Sequence, residues 1–305
     1  MLNYLIKRIL SAIFTIFLVT TITFFIMYLV PGGPFLSEKA PSKAVLAAMN
    51  EKYGLDKPVI VQYKNYVVKF AQGDLGLSLK KRGRAISEII SEKFPVSARV
   101  GSIAVLIALL FGIPMGSIAA LNRGKWIDHT LVFISTVGIA IPGFVVATLL
   151  MLFFGVTLKI LPTFGLSTPL HYILPAFTLS FYPMSYMSRL MRSSMLDVLG
   201  QDYMRTAKAK GVSGFMILFK HGLRNAVLPI LTYIGPLLAY ILTGSFIVEK
   251  IFTIPGLGGE FISSITNRDY PMIMGTTIFL ASLLVVMNVI VDITYKLVDP
   301  RIKLK

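Results

Sequence analysis

Long apolar runs constrain this chain more than any other feature. A hydrocarbon layer about 30 Å thick is crossed by about 20 residues of α-helix. The stretches Ile9 to Val30, Val100 to Leu121, Thr130 to Phe154, Ala226 to Val248 and Met272 to Val291 reach that length without one Asp, Glu, Lys or Arg. A shorter run, Ile173 to Met187, carries Pro175 and Pro183. It is expected to be kinked and enclosed by other helices, where freed backbone groups find partners. Hydrophobic residues make up 55% of the chain and charged ones 14%, a balance foreign to soluble globules. The expected fold class is therefore an all-α polytopic membrane protein with six transmembrane helices.

The formal charge of +16 invites a nucleic-acid reading, but its distribution argues against one. With the N-terminus inside, cytoplasmic segments hold Lys7, Arg8, Arg123, Lys125, Arg189, Arg192, Arg205, Lys208, Lys210, Lys220 and Arg224, besides four basic residues after the last span. The short outer loops hold only Lys159, Lys250 and Arg268. This positive-inside asymmetry predicts that both termini are cytoplasmic and that the partner is membrane lipid, with no nucleic acid. The basic segment from Pro31 to Pro95 then faces out, since long loops translocate largely regardless of charge. The first span is too long for a signal h-region and ends in Pro31-Gly32-Gly33-Pro34 without a cleavage site, so it reads as an anchor. No cysteine is present, which excludes disulfides and thiolate metal sites. The expected organisation is 1–30, an N-terminal region with the first span; 31–97, an extracytoplasmic loop or cap; and 98–305, a core of five spans with a cytoplasmic loop at 188–225.

In the outer segment, Ser42 is placed to cap a helix from Ala44 to Tyr53 that Gly54 would end. Val59, Tyr63, Tyr66, Val67 and Phe70 predict an amphipathic helix stopped near Gly73, and a third is expected from Ser87 to Lys93 before Pro95. The cap is either a packing lid or a docking surface for an external protein. Pro255-Gly256-Leu257-Gly258-Gly259 predicts a turn. Gly112 and Gly116, with Pro114 between them, predict close helix packing or a bend.

Much chemistry is missing from the pattern. The six runs carry no charged side chain inside them, Arg99 and Asp292 lying at their ends, which disfavours an ion-driven carrier. No G-x-x-x-x-G-K-[ST] loop exists, and Gly124-Lys125 is followed by Trp126. His129, His171 and His221 fall in loops or at span edges, and Gly165-Leu166-Ser167 sits in a turn-forming stretch. No catalytic, cofactor-binding or metal-ligating residue is assigned.

The loop at 188–225 is different from a plain connector. Asp202 suits an N-cap, Tyr203 to Lys210 a short helix, and Gly211 the position past its end where φ > 0 is wanted. Ser213 is placed to cap a second helix through Lys220. Tyr203 and Ala207 share one face of the first helix, while Phe215, Leu218 and Phe219 cluster on the second. A purely topological signal needs neither caps nor an aromatic cluster, so the loop reads as a structured knob.

Asp202-Tyr203-Met204-Arg205-Thr206-Ala207-Lys208-Ala209-Lys210-Gly211, followed by His221, Arg224-Asn225-Ala226 and Leu228-Pro229, resembles the cytoplasmic loop of permease subunits in binding-protein-dependent ABC importers of the peptide and nickel branch. Arg205-Thr206-Ala207 stands where the family carries E-A-A, and the Leu-Pro comes later than in the general pattern. Pro31-Gly32-Gly33-Pro34, Tyr53-Gly54-Leu55-Asp56-Lys57-Pro58, Gly73-Asp74-Leu75-Gly76, Arg268-Asp269-Tyr270-Pro271 and Asp299-Pro300-Arg301-Ile302 look like further family markers, and Thr243 to Phe252 is most similar to B-type oligopeptide permease subunits.

The resemblance implies a type I ABC importer permease fold and a transporter subunit that is not an enzyme. Asp202, Tyr203, Arg205, Thr206, Ala207, Lys208, Gly211 and Phe215 would form the ATPase-coupling loop. No cofactor would sit in this chain; ATP and Mg would belong to one or two ABC ATPase partner subunits. The other implied partners are a second, C-type permease subunit, an extracytoplasmic peptide-binding protein and an oligopeptide substrate. The implied location is the prokaryotic cytoplasmic (inner) membrane, multi-pass. Dipeptide, nickel-chelate and glutathione importers share this fold, and the residues alone also admit an autonomous channel or facilitator. No residue is assigned to the substrate path.

Overall fold

The computed structural model describes residues 2–29, 34–35, 43–81, 83–213, 216–242 and 246–298. In chain order its helices are α1 (Leu2–Leu29), α2 (Lys43–Tyr53), α3 (Val59–Ala71), α4 (Ile86–Leu121), α5 (Trp126–Ala140), α6 (Gly143–Leu150), α7 (Ile173–Leu199), α8 (Asp202–Ala209), α9 (Leu228–Leu242), α10 (Phe246–Ile251), α11 (Leu257–Thr266) and α12 (Tyr270–Val298). Among the described residues the sole β-pairing is an isolated antiparallel bridge between Leu77 and Ala85. Contacts divide the chain into two compact units, Met1–Pro95 with Gly256–Val286, and Val96–Pro255 with Met287–Leu304. The expected markers Pro31-Gly32-Gly33, Thr243-Gly244-Ser245 and Asp299-Pro300-Arg301-Ile302, and the expected cap Ser42, lie outside the described residues.

In the first unit the outer-segment helices form nearly where the spacing places them. Past the end of α3, Gly73 adopts φ +84°, and Asp74 N–H donates to the Lys69 carbonyl at 3.0 Å while Gly73 N–H donates to that of Phe70 at 2.9 Å. These two bonds satisfy carbonyls the helix end would otherwise leave open. The Thr21 and Tyr63 hydroxyls, 2.7 Å apart, join α1 to α3, and the Phe24 ring meets that of Tyr63 at 5.3 Å. The Tyr66 hydroxyl is buried and has no hydrogen-bond partner among the described residues; burial, reinforced by the Asp74 carboxylate, pushes its phenol above the usual tyrosine range.

Ile86, Ile89, Ile90, Leu257 and Met272 make this unit's apolar core. Beside it the buried Asp269 carboxylate accepts hydrogen bonds from Ser78 Oγ and from Leu79 N–H at 3.0 Å, which pins the 77–85 turn to the start of α12. Two expectations are corrected here. The third outer helix, expected to stop at Lys93, continues through Pro95 as the 36-residue α4. Pro95 removes one ladder bond, but Ile89 and Ile90 on one side of it and Val100 and Ala104 on the other are all buried, and packing on both sides outweighs the break. The Pro255 to Gly259 cluster is the start of α11 rather than a turn, with Gly256 at the N-cap position. Fully buried Leu257 and first-turn Glu260 favour the helix by more than the cost of about 1 kcal/mol for each helical glycine.

The second unit is built around α7. Leu174, Ala176, Met184, Met187, Met191 and Met195 are all buried along it. A methyl group added at Gly112 would lie 2.8 Å from the Met184 carbonyl oxygen, and one at Gly116 would overlap the Ser188 carbonyl, so this G-x-x-x-G pair is a close-packing seam within the chain. The expected short span from Ile173 to Met187 is the first part of α7, which runs on to Leu199 with Pro183 inside it.

The expected span from Thr130 to Phe154 is bent by 105° between α5 and the segment Gly143–Thr157. Pro142 has no N–H to donate and holds Ile141 in an extended conformation (φ −81°, ψ 125°), so the helix must stop and restart. Ile6–Leu29, Ile86–Leu121 and Tyr270–Ile290 are long and apolar enough to cross a membrane, and the bent pair makes a fourth candidate. The apolar part of α9, Leu228–Leu238, is shorter.

Candidate functional site

The knob expected in the 188–225 loop is present as a short helix with defined ends. Gln201, rather than Asp202, occupies the cap position. Its N–H closes the last turn of α7 on the Val198 carbonyl at 3.1 Å, and its own carbonyl accepts from Met204 N–H at 3.1 Å. One residue thus serves both helices, which moves Asp202 into the first turn of α8. There its carboxylate favours the positive helix end and lies 3.7 Å from Arg205 Nη1. Both side chains are largely exposed, so this ion pair contributes little. Thr206 Oγ1 donates to the Asp202 carbonyl at 3.0 Å.

Gly211 adopts φ +75°, as its position past a helix end demands, and Val212 N–H donates to the Ala207 carbonyl at 3.2 Å. An added methyl there would meet nothing within 4 Å, so the backbone conformation alone calls for glycine. Ser213 Oγ accepts from Met216 N–H at 3.4 Å, and helix is described from Met216 on. From there Ile217–Leu223 winds as a π-helix and passes into the helical turn Arg224–Ala226. Phe215 lies outside the described residues, as do the side chains of Lys208, Leu218, Lys220 and His221.

The anchor of α8 was not apparent from residue spacing. Met204, 4% exposed, is the buried one among the described side chains of α8. A methyl on Gly222 would sit 3.3 Å from Met195 Sδ and 3.7 Å from Met204 Cε, so the bare glycine leaves a socket that the two methionines fill. Tyr203, expected to share a packing face with Ala207, is 43% exposed, and its hydroxyl accepts from Asn225 Nδ2 at 3.1 Å. The helix is clamped between the end of α7 and the segment leading into α9, while Asp202, Arg205, Thr206, Ala209 and Lys210 project outward.

A second tie lies about 12 Å up α7 from its junction with α8. Arg192 grips Asp128 in a two-pronged ion pair, Nε to Oδ1 at 2.6 Å and Nη2 to Oδ2 at 2.7 Å, and Gly124 N–H adds a bond to Oδ2 at 3.0 Å. Asp128 stands in the first turn of α5 and is buried, so the pair fastens α5 to α7. The sequence offers Arg192 only as one of many inner basic residues, and its partner lies 64 positions away. Among the described residues no three His, Asp or Glu side chains gather as metal ligands would. The arrangement is suited to carrying force: a short helix held by Met204 and Tyr203, a single-residue joint at Gln201 and an ion pair higher on α7.

Residues 112–304 match the family described as binding-protein-dependent transport system inner membrane component, and residues 1–100 match that family's N-terminal region. The dipeptide transport system permease protein DppB of Bacillus subtilis is 46% identical over 100% of this chain and 99% of its own length. The oligopeptide transport system permease protein OppB of Haemophilus influenzae is 40% identical, covering 99% of this chain and 100% of its own. Among solved structures, a chain of the MetNI methionine ABC transporter in an inward-facing conformation aligns with TM-score 0.56 at 15% identity, covering 70% of this chain and 97% of that one. A chain of an amino acid ABC transporter crystallised with histidines gives TM-score 0.51 at 18% identity, covering 71% and 95%. At these identities the structural likeness shows the fold.

Proposed function

The chain belongs to the family of binding-protein-dependent transport system inner membrane components, and on that premise we propose that it is a permease subunit of an ATP-driven oligopeptide importer. The observation that carries the mechanism is α8, begun at Gln201 and closed by Gly211, anchored by Met204 and projecting Arg205 and Thr206 away from the chain. A short stiff helix held this way passes a push from a neighbouring protein into α7, whereas a flexible loop would absorb it. Closure of one or two ABC ATPase subunits, which bind ATP and Mg, supplies the push. Tyr203, Ala207, Lys208, Gly211 and Phe215 complete the coupling loop with Asp202, Arg205 and Thr206.

Six spans with both termini cytoplasmic fit the charge asymmetry, with α7 and α9 crossing in the shelter of their neighbours. On this reading residues 1–30 anchor the chain, 31–97 form an extracytoplasmic cap, and 98–305 form the core. A C-type permease completes the path, and a peptide-binding protein delivers substrate to the outer side of the bacterial inner membrane.

Relatives named for dipeptides and for oligopeptides both align over nearly the whole chain, so a dipeptide substrate is the second reading. The test is to purify the tagged chain in mild detergent, identify its companions by mass spectrometry, and assay uptake of dialanine and pentaalanine by the reconstituted assembly. Recovery with a second permease and Walker-motif ATPases, together with ATP-dependent pentaalanine uptake, is the expected result. Uptake by the chain alone without ATP would favour a facilitator.

A further inference from the structure

Exposed positions on most of the apolar helices are what lipid would select: Leu10 and Phe14 on α1, Leu110 and Phe111 on α4, Phe133 on α5. α7 departs from this. Between Leu174 and Ser188 its exposed residues are two tyrosines, Tyr182 and Tyr186, at 48% and 37%. They lie one turn apart with their rings stacked at 6.4 Å, and the ring of Tyr186 meets that of Tyr233 on α9 at 4.5 Å. On α9, Thr232, Pro236 and Tyr240 are exposed at one-turn spacing, Tyr240 at 73%.

The depth of these rings decides what they face. Tyr182 lies about 14 Å along α7 from Ile173 and about 10 Å from Arg189, the first charged side chain on that helix. Tyrosines that meet lipid gather at the headgroup level, and a phenol turned into hydrocarbon at mid-depth loses hydrogen bonds that nothing there replaces. An open tyrosine face at this depth therefore adjoins something polar. Phenols suit a passing peptide: the hydroxyl both donates to and accepts from backbone amides, which every peptide shares, and the ring accepts varied side chains with little loss of conformational freedom.

We propose that Tyr182, Tyr186, Tyr233 and Tyr240 line the substrate path and contact the peptide backbone as it crosses; this rests on the reading of the chain as a peptide-importer permease.

The test uses the complete assembly in proteoliposomes. This chain has no native cysteine, so Tyr182→Cys, Tyr186→Cys and Tyr240→Cys each place a unique thiol in it, with Leu110→Cys and Phe133→Cys as lipid-facing controls. A charged, membrane-impermeant methanethiosulfonate should modify the three tyrosine positions and spare the controls, and trialanine delivered with the binding protein should slow that modification about tenfold, the effect of about 1.4 kcal/mol of occupancy. The milder variants Tyr182→Phe and Tyr186→Phe should raise KM for trialanine while leaving kcat unchanged. Positions that react in the isolated chain but not in the assembly would place the stripe at a protein–protein interface and overturn the proposal. Reaction rates indifferent to trialanine, or unchanged KM in both phenylalanine variants, would also overturn it. ATP-dependent uptake by the unmutated assembly is measured in the same vesicles. Its absence would count against the importer reading itself, and its presence beside unprotected tyrosine positions against this inference alone.

Discussion

Removing one side of the Asp128–Arg192 pair should cost more than removing both. The pair is bidentate at 2.6 and 2.7 Å, with the Asp128 side chain 3% exposed and that of Arg192 28%. Breaking a buried pair by deleting one partner costs about 3–5 kcal/mol, mostly because the survivor is left charged and dehydrated. Asp128→Asn strands a guanidinium that still reaches water, so its cost lies at the lower end, about 3 kcal/mol. Arg192→Gln strands a carboxylate whose remaining hydrogen bond is that from Gly124, which places it nearer the upper end, about 4 kcal/mol. At about 2–4 °C per kcal/mol for a unit of this size, midpoints should fall by about 6–12 °C and about 8–16 °C. The double variant carries no stranded charge and should cost less than Arg192→Gln alone, a coupling of about 3 kcal/mol or more. The assay is the temperature at which half the chain is lost from the monodisperse peak of the detergent-solubilised assembly. Single variants with unshifted midpoints, or a double variant equal to the sum of the two, would refute the claim that the pair holds α5 to α7.

Gly211→Ala forces an alanine into φ +75° at a cost of about 1–2 kcal/mol, and should lower peptide uptake per ATP hydrolysed without changing membrane level; Gly211→Pro should abolish coupling. Met204→Ala empties the socket over Gly222 at a cost of about 2–3 kcal/mol and should make the 201–213 segment markedly more sensitive to limited proteolysis. Gly116→Ile drives a branched side chain into the Ser188 carbonyl and should abolish stable accumulation of the chain, read by immunoblot of membranes. Ala207→Glu should leave the chain in the membrane while uncoupling ATP hydrolysis from uptake in the reconstituted assembly.

Local signals were legible where a single residue decides the backbone. Gly73 and Gly211 end their helices because few other residues hold φ > 0 cheaply, and the spacing of Val59, Tyr63, Tyr66 and Phe70 displays α3 directly. Features set by distant partners were not legible. Nothing near Asp128 reveals Arg192, and nothing near Met204 reveals that Gly222 leaves room for it. The bend at Pro142 was hidden inside a continuous apolar run, because hydropathy reports the medium around a segment and not its direction. Pro95 misled in the opposite sense, since packing on both sides carries α4 through a residue that would normally stop it.

Four methionines along α7 turn toward the helices around it. Met184, Met187, Met191 and Met195 are buried at three- and four-residue spacing, the ridge that packs into the grooves of neighbouring helices. Their unbranched thioethers change rotamer without opening a void, whereas a ridge of valine or isoleucine would lock one register. α7 is 27 residues and so about 40 Å long. A tilt of about 10° started at the α8 end displaces the far end of such a rod by about 7 Å. In the proposed importer, motion started at α8 would thus cross the bilayer as a tilt of α7 together with the helices locked to it, α4 by the Gly112–Gly116 seam and α5 by the Asp128–Arg192 pair.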